Sequence, residues 1–321
     1  MRETVHLSLA SHDEVMYRDE ADLIRGFNCL AVAVLETESR LMAEGFLSTH
    51  HHSMVQTDNA KALVRKERYA YTRYFNARYG RRGSLGEKAP FFLSIDGLYH
   101  TMVALNYVLR QGLHHGLSET PFGYVHGSAN AFFRHQLGKP SPEKLMPADQ
   151  RSKYLPDRAC VPDSIRMLPS GLLVREDVID TAYVEKIYIT PRNFLFQMNK
   201  LSDEKWLEEQ KGEQSRSPVI TLDLIETGVK GIDVAQLLRN ENGKVNTGKL
   251  TDLELCRIID KEYLPRMIRR RGLGQGQEIS VYQLSATERS DLGNSLWQEI
   301  PRHYKKRTSV PQLRRCLCMD Y

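Results

Sequence analysis

The chain has 321 residues, 41% of them hydrophobic and 26% charged, with a formal net charge of +5. That length suggests one large domain or two modest ones with a real core, and the composition excludes a chain disordered throughout. No run of about 18 uncharged apolar residues exists, which excludes a transmembrane helix. The polar opening MRETVHLSLASHDEV lacks the apolar stretch of a secretory signal. A cytosolic protein with no membrane partner is expected.

In chain order, Val5 to Ala10 alternates apolar and polar residues and reads as a strand. Asp19 to Glu38 carries Leu23, Ile24, Phe27, Leu30, Ala31, Val34 and Leu35 at helical spacing. Leu41 to Val55 reads as a short strand, a turn at Gly45, and a second strand through Thr49-His50-His51-His52-Ser53-Met54-Val55. Asp58 or Asn59 is placed to cap a helix running to Tyr79 and stopped by Gly80. Pro90 to Ile95 reads as a strand. Asp96 is then placed to cap a helix through Gln111, with Gly112 at its C-terminal end. Strands and helices alternating over about 135 residues make a compact α/β or α+β unit.

After Phe133 the texture changes. Six prolines between Lys139 and Ser170 mark residues 136–170 as a linker or an irregular covering segment. Residues 171–321 are expected to be mainly helical. The stretch from Glu204 to Ser217 is expected to be polar and exposed. Short helices are expected over Thr251 to Asp260, Ser285 to Ile300 and Ser309 to Met319, a weak helix-turn-helix arrangement at 250–321 that could bind DNA.

Charge is concentrated. Between Lys61 and Arg82 eight basic residues face one acid, Glu67, so the segment carries +7 and the rest of the chain about −2. Further basic clusters are Arg266, Arg269, Arg270 and Arg271, and a run from Arg302 to Arg315. Separate basic patches on a nearly neutral background fit a polyanion, although charge runs also make ordinary solvated faces. The five cysteines, Cys29, Cys160, Cys256, Cys316 and Cys318, show no framework spacing and read as reduced thiols. The terminal Cys316 and Cys318 read as small hydrophobes before a zinc site.

Two constellations carry chemistry. On a strand, His50 and His52 share one face and His51 points to the other. Two imidazoles on one face can hold a divalent ion; they equally fit buried, hydrogen-bonded histidines or an exposed polar edge. Tyr107 and Gln111, four apart on a helix, share a face. A phenol there can attack a phosphodiester, and the amide can serve as a neutral ligand. The plainer alternative packs Tyr107 in the core beside Val103 and Leu105.

The order of these pieces resembles the single-tyrosine HUH transposases, especially the REP-associated tyrosine transposases. The family's His-hydrophobic-His stretch is matched by Ser48 to Val55. Its aromatic basic helix is matched by Tyr69 to Gly80, and its tyrosine stretch by Tyr107 to Leu117. Two departures stand out: His51 replaces a hydrophobic residue, and Gln111-Gly112 replaces Asn-Pro. The resemblance covers about residues 1–135 and implies an α+β fold, an antiparallel sheet with helices packed on it (the ferredoxin-like or RRM-like HUH nuclease fold).

It further implies His50, His52 and Gln111 as ligands of Mg²⁺ or Mn²⁺ and Tyr107 as the nucleophile. Single-stranded or hairpin DNA is the implied partner, held by Arg65, Lys66, Arg68, Arg73, Arg78 and Arg110. The implied reaction is metal-dependent cleavage and strand transfer through a 5′-phosphotyrosine, often by a homodimer. Tyr71, Phe75 and Tyr79 are read as part core and part base-stacking. The rivals are a non-cleaving DNA-binding protein of transposase descent and a metal-dependent phosphodiesterase that uses water.

Overall fold

The computed structural model describes residues 2–11, 13–86, 89–118, 120–198, 248–270 and 279–319. The expectations for Glu204–Ser217 and for Arg271 lie outside them. The fold is α+β: a four-stranded antiparallel sheet with helices, followed by a helical C-terminal region. Strands β1 (Glu3–Ala10), β2 (Arg40–Phe46), β3 (His50–Thr57) and β4 (Phe91–Ile95) alternate with α1 (Glu20–Glu36), α2 (Ala60–Tyr79) and α3 (Leu98–Leu109). The sheet order is β2-β3-β1-β4, every neighbour antiparallel. The β-α-β-β-α-β succession with this order is ferredoxin-like.

Alternation along the strands assigns the two faces. His50 lies opposite Ala10, and His52 opposite Ser8 and Gly45, so these residues share one face with α3. His51 lies opposite Leu9 and Phe46, on the face covered by α1 and α2. Asp19 caps α1 by accepting from the Asp22 N–H, and Asn59 caps α2 by accepting from Ala62. Gly80, at φ +61°, ends α2 in the left-handed region glycine adopts cheaply. Buried Asp22 ties α1 to α2: its carboxylate accepts from Tyr74, Tyr79 and Arg78. Burial raises its pKa, opposed by the Arg78 charge.

Three local expectations shift. Gly45 lies inside β2, and the turn falls at residues 47–49 instead. The tyrosine helix begins after Gly97, which takes the cap position in place of Asp96, and it ends at Leu109. A short helix α4 (Gln111–His114) follows, so Gly112 is helical and the left-handed glycine is Gly116, φ +65°. Residues 136–170 are no free linker: Met146, Leu155, Ile165 and Met167 are buried in the same core as the sheet. The outer edge of β2 is covered too. Gly127 bridges to Gly45, Phe46 donates to the His126 carbonyl, and Ser128 bonds both backbone groups of Glu44, which removes a bare strand edge. Helices α5 (Arg175–Val178), α6 (Thr181–Tyr188) and α7 (Pro191–Met198) complete this body.

The C-terminal helices build a second core. They are α8 (Asp252–Ile258), α9 (Leu264–Arg270), α10 (Ala286–Tyr304) and α11 (Val310–Leu317). A π-helical turn, Ile259–Tyr263, joins α8 to α9, and Leu264 donates back to Ile259. Pro265 follows directly and has no N–H to continue the usual ladder. The two cores meet at Arg18, whose side chain is wholly buried. Its guanidinium holds the Asp260 carboxylate at 3.1 and 2.9 Å and the Cys316 carbonyl at 2.8 Å. Arg314 and Arg315 of α11 are half-buried, and Arg315 reaches Asp252 at 3.6 Å. Cys316 is buried and Cys318 half-buried. Among the described residues no helix is long and apolar enough to cross a membrane.

Candidate active site

Strand β3 supplies His50 and His52, and the end of α3 supplies Tyr107. The two imidazole centroids are 5.0 Å apart at 77°, and the His52 and Tyr107 rings are 5.0 Å apart at 78°. The Tyr107 hydroxyl stands 3.4 Å from Nε2 of His52. Tyr107 and His52 thus come together in space. Gln111 sits just after the helix break, yet its Nε2 still reaches back to the Tyr107 carbonyl at 3.2 Å. Its Oε1 is buried without a hydrogen-bond partner.

Gly45 explains how Gln111 comes so near. A Cβ at Gly45 would lie 2.9 Å from the Val108 carbonyl and 3.2 Å from Cβ and Cγ of Gln111. Gly45 pairs with His52 across the sheet, so the Gln111 side-chain stem packs on β2 at the position opposite the second histidine. Close approach of helix to strand is the reason for glycine here.

Sequence reasoning missed His6 and His115. Nε2 of His6 is 3.1 Å from Nδ1 of His52, and the His115 ring is 5.4 Å from that of His50. The signal for His6 was phase: on β1, His6 and Ser8 lie on the face that Leu7 and Leu9 leave, the face β3 shares through His52. Burial drives His52 and His115 well below the ordinary histidine pKa, with neighbouring imidazoles adding to it. His6 falls to about 3 by burial and the nearby His51. These rings are neutral, the form that ligates metals.

His51 has its own role on the other face. Its Nε2 is 2.9 Å from Oε1 of Glu67, the Tyr17 hydroxyl is 2.9 Å from its Nδ1, and the ring stacks on Phe46 at 4.5 Å. It points away from the site and does not compete for a ligand there. Glu67, the single acid of the basic helix, is buried to meet it.

A metal fits this site in part. Two neutral imidazoles and an orphaned amide oxygen are a suitable neutral donor set. Among the described residues, however, no three His, Cys, Asp or Glu side chains converge on one point. The cluster is also closed: Tyr107 is 4%, His52 0% and Gln111 1% exposed.

The cations predicted to hold DNA are not gathered at Tyr107. Arg65, Lys66, Arg68, Arg73 and Arg78 all belong to α2, behind the sheet. Lys66 pairs with Glu36, Arg73 with Asp157, and Arg78 with Asp19 and Asp22. Arg68 holds the Leu85 and Gly86 carbonyls. Arg110 is on the tyrosine side but only 8% exposed, at the break between α3 and α4. Tyr71, Phe75 and Tyr79 are core residues; Tyr69 is the exposed aromatic of the helix, at 65%.

No family model matches the chain, and no curated protein matches it. Among solved structures, it is similar to a REP-associated tyrosine transposase bound to a REP hairpin, at 10% identity and a TM-score of 0.35, covering 43% of this chain and 79% of that one.

Proposed function

We propose that this chain is a transposase-like DNA strand transferase in which Tyr107 is the nucleophile and single-stranded or hairpin DNA the substrate. The observation that carries this reading is the Tyr107 hydroxyl 3.4 Å from Nε2 of His52, beside His50 and Gln111. The phenolic oxygen attacks a backbone phosphorus, the P–O3′ bond breaks, and the 3′-oxygen leaves and takes up a proton. The strand then carries a 5′-phosphotyrosine. Attack by a 3′-hydroxyl reverses the exchange, one phosphodiester-type bond replacing another without an external energy source.

His50, His52 and Gln111 would hold Mg²⁺ or Mn²⁺, which would supply charge stabilisation at the phosphate. His6 sets the ring orientation of His52 from behind, as outer partners of ligating histidines do. Arg65, Lys66, Arg68, Arg73 and Arg78 would meet DNA on the α2 side, and Arg110 would meet it only after the closed face opens.

The non-cleaving DNA-binding reading has one observation in its favour: Tyr107 is only 4% exposed, and His52 and Gln111 are buried. A denaturing gel separates the two. Wild type with Mn²⁺ and a labelled single strand gives a covalent adduct, Tyr107→Phe gives none while still binding, and EDTA abolishes the adduct. An undiminished adduct in Tyr107→Phe overturns the tyrosine assignment; binding without any wild-type adduct favours the non-cleaving reading.

A further inference from the structure

A groove of about 510 Å³ lies on the face of the sheet away from Tyr107, between α2, Ser84, Pro90 and β4. Lys61, Arg65 and Arg68 follow one another at i, i+4 and i+7 on its α2 wall. Tyr69 and Phe92 supply aromatic surface, Val64 and Pro90 apolar lining, and Thr72 and Ser84 hydroxyls. Among the described residues, no carboxylate lines it. The contrast with the rest of α2 is informative. Lys66, Arg73 and Arg78 are each paired with an acid, as is Arg81 just beyond the helix. Among the described residues, no ion pair joins Lys61 or Arg65 to a carboxylate, and both are exposed. Two cations left available beside exposed aromatic surface match a phosphate joined to a flat ring.

The position of β4 adds the second argument. It is the outermost strand of the sheet, paired with β1. Its consecutive rings point to opposite faces. Phe91, opposite Ser8, reaches the His6 ring at 5.8 Å on the Tyr107 side. Phe92, opposite Leu7, lines the groove. Both are half-buried. The edge of β4 is therefore a short route from the groove to the histidine cluster.

We propose that this groove binds a nucleotide of a single DNA strand, its base against Phe92 and Tyr69 and its phosphate on Lys61 and Arg65, with the strand continuing over the β4 edge. This rests on the DNA-binding side of the reading above but not on cleavage. A nucleic-acid occupant is favoured over a peptide because every charged group among the described lining residues is cationic and two of the lining residues, Tyr69 and Phe92, are aromatic. The volume is in the range of pockets that enclose a small planar ligand.

The test is fluorescence anisotropy of the full chain with a labelled single-stranded dT oligonucleotide across a salt series. The variants are Lys61→Glu with Arg65→Glu, and Phe92→Ala, each checked for an unchanged thermal melt. The charge variant is expected to bind at least tenfold more weakly with a salt slope shallower by about 1 to 2. Phe92→Ala is expected to weaken binding with the slope unchanged. Because a charge reversal disturbs any polyanion site, photo-crosslinking of a 5-bromodeoxyuridine strand provides a second readout, with Tyr69 or Phe92 the expected attachment points. Unchanged affinity in both variants, or crosslinks confined to other faces, overturns the groove assignment, as does tighter binding of an acidic peptide that the oligonucleotide cannot displace. Adduct formation by wild type, read on the same samples, reports separately on Tyr107: adduct with no groove effect sinks only the groove, and a groove effect with no adduct sinks only the strand-transfer chemistry.

Discussion

The hydroxyl of Tyr107 is 3.4 Å from Nε2 of His52, whose Nδ1 is in turn 3.1 Å from Nε2 of His6. Three side chains from α3, β3 and β1 thus form one buried chain of hydrogen-bonding atoms. A separation of 3.4 Å is long for such a bond, as is common for catalytic contacts before substrate binds. Because Nδ1 of His52 faces His6, only Nε2 faces the phenol and whatever is bound there.

Removing His6 should loosen that ring without removing any proposed ligand. His6→Ala is expected to slow adduct formation about 10- to 100-fold, the usual cost of losing an outer partner, and to leave oligonucleotide affinity intact. Single-turnover rates measure it; an unaltered rate shows that His52 is held well enough by packing alone.

Gly45→Ala tests the close approach of α3–α4 to β2. The added methyl would meet the Val108 carbonyl at 2.9 Å, a backbone atom that cannot simply rotate away. Overpacking of this kind costs about 1–3 kcal/mol. A lowered urea midpoint together with weakened adduct formation is the expected pair of results. Wild-type stability in this variant contradicts the packing described.

The Tyr17–His51–Glu67 brace predicts an asymmetry. Glu67→Ala leaves buried polar groups without their partner and should cost about 3 kcal/mol, whereas His51→Val with Glu67→Leu should recover much of that loss. Chemical denaturation of the single and double variants decides it. Equal destabilisation by both would mean the pair is not acting as a unit.

Acid should destabilise the fold. Burial depresses His126 to about 4, helped by the Arg175 charge, and His6 to about 3. An unfolded histidine titrates near 6.5, so below that pH the unfolded chain binds protons that the folded chain does not. Stability present above about pH 6.5 is therefore lost as pH falls toward 4, by up to about 1.4 kcal/mol per pH unit per group. Urea midpoints in EDTA at pH 7.5, 6 and 5 should decline, and His126→Gln should decline less steeply. A flat profile refutes the buried neutral state.

Breaking the joint between the two cores is the most disruptive change expected. Asp260→Ala leaves the fully buried guanidinium of Arg18 without its carboxylate, a loss of about 3–5 kcal/mol. Amide hydrogen exchange in α8 to α11 should then be faster than in wild type. Equal protection of the two proteins argues that other contacts hold the joint.

The chain's own residues determined the order of strands and helices, a cap at Asp58 or Asn59, and the stop at Gly80, because these depend on neighbours a few positions away. They also determined that His50 and His52 face together and His51 apart, since a strand has a period of two. Tertiary structure alone decided that His6 completes the histidine chain and that Glu67 turns inward to meet His51. It also decided that Gly45 is a strand residue under a helix rather than a turn, and that the basic helix lies behind the sheet from the tyrosine. Each of these depends on which strand pairs with which and on which face a helix crosses, and those choices are set by burying one shared core, not by local spacing.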